Sequence, residues 1–175
     1  MFSKAGEPNP QIRFEGFVKM SDNLKELRKS QLVTVDRFLR MSKGANTIIL
    51  DTRSKSAFDK VHIKGATHLN FSDFTAVKLR KVIPDKNTRI LIYCNNNFRA
   101  DKPKLKVEAL QAKSPALALN IPTYVNLHGY GYKNVYELSS LLPLSKAGVP
   151  LEGSDIDPET GIFKQLLALG KETQK

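Results

Sequence analysis

Arg89-Ile90-Leu91-Ile92-Tyr93-Cys94-Asn95-Asn96-Asn97-Phe98-Arg99 is an apolar run that stops at a thiol and turns polar. Near-continuous β-branched and aromatic residues over this length predict a strand buried on both faces, as in a parallel sheet. Thr47-Ile-Ile-Leu50 has the same character, and Asn134-Val-Tyr-Glu-Leu138 is likewise rich in β-branched and aromatic residues. Helix signals lie between them. Thr34 caps a segment through Leu39 to Met41 that closes at Gly44, and Ser72 caps one through Leu79, Val82 and Ile83 that stops at Pro84. Asn120 and Pro122 suit the first turn of a third helix ending near Gly129. Strand alternating with helix predicts an α/β domain. In open parallel sheets ligands bind beyond the carboxyl ends of strands, and Cys94 falls at such an end.

The loop after Cys94 carries the candidate chemistry. Asn95, Asn96 and Asn97 tolerate left-handed backbone better than most residues, so the loop can curl into an anion-binding nest. Inward N–H dipoles and the Arg99 cation would favour the thiolate over a thiol of ordinary pKa, about 8.5. A lone Cys after an apolar strand also reads as a small buried hydrophobe. The surrounding pattern decides between the two.

From residue 51 the chain reads Asp51-Thr-Arg53, then Phe58 five residues on, then His62-Ile63-Lys-Gly65-Ala66. This resembles the rhodanese family, and the likeness continues through Cys94, the four-residue spacing to Arg99, and Gly131-Tyr-Lys-Asn-Val135. The resemblance implies a rhodanese-like parallel five-stranded sheet flanked by helices on both faces. It implies Cys94 as the nucleophile that takes a sulfane sulfur, from a donor such as thiosulfate, to a thiol or cyanide acceptor through a persulfide. Backbone N–H groups of Asn95, Asn96, Asn97 and Phe98 would cradle that persulfide, and Arg99 would hold the anionic donor. Phosphatases sharing the fold have one more residue in the loop, so sulfur is expected rather than phosphorus. The alternative is a non-catalytic rhodanese-like module that binds an anion or a protein partner.

Several positions depart from the family pattern. Ala57 stands where an acidic residue is usual, Val61 replaces a Gly, and the loop interior lacks basic residues and glycine. Arg53 therefore reads as a fold residue that pairs with Asp51 or another acid, and Asp51 as a neighbour of the cradle. Ala100-Asp-Lys-Pro103 interrupts the helix that normally follows the Arg and stabilises the thiolate. Residues 101–115 read as a basic insertion, with Lys102, Lys104, Lys106 and Lys113, forming either a rim over Cys94 or a solvated loop.

Residues 1–30 read as an N-terminal extension packed on the domain, with a charged helix from Ser21 to Lys29. Residues 31–142 form the domain itself, and 143–175 a C-terminal extension. In that extension Asp157-Pro158-Glu159 is a helix start, followed by an apolar stripe at Ile162, Phe163, Leu166, Leu167 and Leu169. Across 175 residues, 28 basic side chains against 17 acidic give a net charge of +11, scattered as a solvated basic face that attracts small anions. No zinc-finger or ribonucleoprotein motif accompanies it, so no specific nucleic acid is expected. One cysteine excludes a disulfide framework and a multi-thiolate zinc site, and His62, His68 and His128 match no ligand spacing. No metal or cofactor is expected, and the expected partners are a small sulfur-containing anion and a thiol acceptor. Apolar stretches are strand-sized and Met1 opens a polar stretch, so a soluble chain with no membrane span is expected. Its default compartment is cytoplasmic, or periplasmic if a leader preceded Met1.

Overall fold

The computed structural model describes residues 9–172; residues 1–8 of the expected N-terminal extension and the last three of the C-terminal one lie outside that range. In chain order the elements are α1 (Phe14–Ser30), β1 (Leu32–Val33), α2 (Val35–Ser42), β2 (Thr47–Asp51), α3 (Lys55–Lys60), β3 (His62–Ile63) and β4 (Thr67–His68). They continue with α4 (Ala76–Val82), β5 (Arg89–Tyr93), β6 (Phe98–Arg99), α5 (Asn120–Gly129), β7 (Val135–Leu138), β8 (Leu142–Pro143), β9 (Leu151–Glu152) and α6 (Lys164–Glu172). Five strands form one parallel sheet in the order β1-β7-β5-β2-β4.

Strand β5 lies at its centre, and its side chains alternate between two cores. Leu91 and Tyr93 join Val33, Phe38, Ile49 and Leu138 on one face, while Ile90 and Ile92 join Leu50, Leu79, Tyr124 and Leu127 on the other. Burial on both faces is what the continuous apolar run requires. The first core also takes in Leu105, Leu142, Leu144, Val149, Leu151, Ile156 and Phe163, so the insertion and the C-terminal segment close this face of the sheet. Helix α1 has no fully buried residue; it lies beside α5 and is anchored by Arg28, whose Nε and Nη2 donate to the Glu137 carboxylate at 2.8 and 2.7 Å. Among the described residues no helix is long and apolar enough to cross a membrane.

Three helix starts differ from the sequence expectation. Helix α1 begins at Phe14 rather than Ser21, because Phe14, Phe17 and Val18 follow a three-and-four spacing. Helix α4 is capped by Thr75, whose hydroxyl accepts from the Lys78 N–H, whereas Ser72 sits in a preceding single turn capped by Asn70. Asp157 starts a tight turn instead of a helix: its carboxylate accepts from the N–H and hydroxyl of Thr160, Gly161 follows at φ 68°, and α6 begins only at Lys164.

Arg53 joins the ends of several of these elements. Its Nε donates to the Asp51 carboxylate oxygens at 3.0 and 3.1 Å, and one terminal nitrogen, Nη2, donates to Asp51 and to the Val61 carbonyl, both at 2.6 Å. The other, Nη1, donates to Asn95 Oδ1 at 3.1 Å and to the Ala109 carbonyl at 3.2 Å. The guanidinium's five N–H groups thus all have acceptors. Asp51 also accepts from the Tyr93 hydroxyl, and burial together with the Asp51 charge holds that phenol well above its usual pKa, as a donor. Arg53 is 4% exposed and Asp51 fully buried, so removing one partner strands a charge in the interior. Arg53→Met is expected to cost about 3–5 kcal/mol in urea unfolding, and Asp51→Leu combined with Arg53→Met to recover much of it. A loss under about 1 kcal/mol for the single variant would remove Arg53 from this role.

Candidate functional site

The carboxyl ends of three neighbouring strands open into a hollow of about 390 Å³. Residues 52–54 follow β2, residues 70–72 lie shortly after β4, and Cys94, Asn95 and Asn96 follow β5; Lys113 and Leu119 close the remaining side. Among the described residues no Asp or Glu lines the space. Larger hollows of about 660 and 720 Å³ lie beside α1 and beside Arg99, and neither includes the thiol.

Cys94 sits on the floor of this hollow with its residue surface almost wholly covered. The expected left-handed nest does not form. None of the three asparagines has a positive φ; residues 95–97 make a single tight helical turn in which the Asn97 N–H donates to the Cys94 carbonyl and the Phe98 N–H to that of Asn95. The asparagine side chains tie the loop down instead. Asn97 Oδ1 accepts from the Cys94 N–H at 2.9 Å and from Asn120 Nδ2 at 3.2 Å, and its amide nitrogen donates to the carbonyls of Leu138 and Ser140 at 2.7 and 3.2 Å. Asn95 Nδ2 donates to the Gln111 carbonyl at 3.0 Å. Asn96 makes a two-bond pair with Lys113, donating to its carbonyl at 2.7 Å and accepting from its N–H at 3.1 Å.

The backbone N–H groups of Asn120, Asn96 and Leu119 pull the Cys94 thiol's pKa down. Two of the three belong to the start of α5, so the amino end of a helix that begins after the insertion acts on the same thiol. Burial is nevertheless the larger influence, and it pushes the Cys94 thiol above its ordinary pKa against the pull of those N–H groups; the Glu137 charge acts in the same direction as burial.

Phe98 points into the core, edge-on to Tyr93 at 6.2 Å, rather than toward the sulfur. Arg99 is exposed on β6, which pairs with β8, and lines the hollow on the other side of the loop. The extended Phe98–Arg99 backbone, continuing toward Pro103, carries the guanidinium away from Cys94. Asp51 lies behind Arg53 and does not reach the hollow. The cations that border the space are therefore Arg53, engaged with Asp51, and Lys113. Sequence reasoning did not place Arg53 there, and it reached Lys113 only through the basic insertion read as either a rim over Cys94 or a solvated loop; Lys113 lines the hollow. The histidines have other neighbours: His62 Nδ1 lies 2.7 Å from the Phe58 carbonyl and its ring stacks on Phe58, His68 Nε2 lies 2.8 Å from the Arg53 carbonyl, and His128 packs on Tyr124.

The sequence model of the rhodanese-like domain matches residues 34–140. The chain matches no curated protein. Among solved structures, the BH2092 protein from Bacillus halodurans is 18% identical over 83% of this chain and 88% of that one, with a TM-score of 0.49. The rhodanese-like domain of the Alr3790 protein from Anabaena sp. is 21% identical over 70% of this chain and 79% of that one, with a TM-score of 0.48. With the matched span covering more than half of the sequence and containing the whole parallel sheet apart from its first edge strand, this chain belongs to the rhodanese-like domain family.

Proposed function

We propose that the domain is a sulfurtransferase that carries a sulfane sulfur on Cys94. The reading rests on one observation: the only thiol in the chain follows the central strand β5 at the carboxyl ends of the parallel sheet, in a hollow that no Asp or Glu lines among the described residues, where the N–H groups of Asn96, Leu119 and Asn120 favour its anion. Such fixed donors suit an anionic sulfur and need little rearrangement as charge arrives.

In the first half-reaction the Cys94 thiol loses its proton to water, and Sγ attacks the outer sulfur of a donor such as thiosulfate. A new S–S bond forms while the donor's own S–S bond breaks, its electron pair leaving on sulfite. The outer persulfide sulfur then carries the negative charge that the Asn96, Leu119 and Asn120 N–H groups accommodate. In the second half a thiolate or cyanide attacks that outer sulfur, and the bonding pair returns to Sγ. Asn97 holds the Cys94 backbone in place for both steps, through the bond it accepts from the Cys94 N–H.

A second reading is a module that holds an anion or a protein without turnover. The observation favouring it is the raised thiol pKa, which leaves less thiolate at neutral pH than a free cysteine would have.

Incubation with thiosulfate is expected to add one sulfur atom to wild-type protein, seen by intact mass and removed by dithiothreitol, and Cys94→Ser to add none. Wild-type protein left unmodified by thiosulfate and by organic polysulfides would favour the binding module. Because burial raises the thiol pKa, alkylation of Cys94 by iodoacetamide should climb about tenfold per pH unit and show no plateau below about pH 8.5. A plateau near neutrality would mean that the N–H groups outweigh burial.

A further inference from the structure

We infer that Lys113, carried by the insertion, is the residue that recruits the anionic sulfur donor to Cys94, a role that rests on the sulfurtransferase reading and gives its site a charge specificity. Arg99, the cation that the loop spacing points to, is turned to another hollow. Arg53 borders the right hollow, but all its donors are used and its charge is matched by Asp51. Lys113 lines the same space as Cys94, is exposed, and has no carboxylate partner among the described residues. With no acid among the described lining residues, its ammonium is the uncompensated charge among them.

Its placement is fixed rather than incidental. The backbone of Lys113 is held on both sides by the Asn96 side chain, which itself lies 3.9 Å from Cys94 Sγ through Oδ1. Two further carbonyls of the same stretch, Ala109 and Gln111, are held by Arg53 and Asn95. The insertion is thus strapped across the thiol loop at alternate residues, which brings a lysine to the mouth and pins its main chain while its side chain stays free to reach a small dianion. A doubly charged donor such as thiosulfate gains from this ammonium, and a neutral sulfane donor does not.

Thiosulfate binding measured by calorimetry in the Cys94→Ser protein, where no sulfur can move, separates this inference from the activity. Lys113→Met is expected to weaken that binding about three- to tenfold, Lys113→Arg to restore most of it, and Lys104→Met, which removes an exposed cation of the same insertion outside the hollow, to set the baseline for general charge loss. The Lys113 contribution should shrink with added salt. Equal affinity in the Lys113→Met and Lys104→Met proteins, or no thiosulfate binding at all, overturns the role of Lys113. Lys113-dependent binding in a protein whose wild-type Cys94 never gains sulfur upholds Lys113 and removes the sulfurtransferase reading alone.

Discussion

A buried guanidinium with every donor satisfied organises the carboxyl end of this sheet. Arg53 touches the end of β2 through Asp51, the end of α3 through Val61, the thiol loop through Asn95 and the insertion through Ala109. An ion pair so covered is a weak source of net stability, since desolvation consumes most of the attraction. Its effect is on geometry: six directional contacts fix how four segments meet, and the position of Cys94 follows from that meeting. The family's usual acidic partner near Arg53 is replaced by Ala57, and Asp51, two residues before the arginine, takes over the charge.

The thiol loop then solves a problem set by its own sequence. A Pro at 103 opposes a helix beginning directly after the thiol loop, and the chain leaves as a strand instead. The amino end of α5 arrives at the sulfur from the far side of an insertion of more than a dozen residues, so the electrostatic arrangement survives a break in chain continuity. What holds it is the Asn97 to Asn120 bond, which links the loop to the helix directly.

The fold was legible where burial on both faces left a continuous apolar signature, at Thr47–Asp51 and Arg89–Tyr93, where a cap residue stood next to its helix, as at Thr34, and where first-turn residues stood, as at Asn120 and Pro122. The two-residue strands carry too little pattern to be read; Leu32–Val33 and Thr67–His68 are strands because β7 and β2 pair with them. At the site, Cys94 and its three asparagines were legible as a cluster, but their roles were not. The spacing from Cys94 to Arg99 suggested a cation over the sulfur, and the direction of the Arg99 side chain depends on a backbone path set by Pro103 and by pairing with Leu142 and Pro143. Lys113 was visible only as one lysine among several, because its proximity to Cys94 comes from side-chain bonds made across the loop.

The segment beyond residue 140 is no appendage. Leu142, Leu144, Val149, Leu151, Ile156 and Phe163 sit in the same apolar cluster as Val61, Ile63 and Leu105, and β9 is the pairing partner of β3. A fragment trimmed to the family boundary would therefore present a raw oily flank along α3 and the lysine-bearing strap.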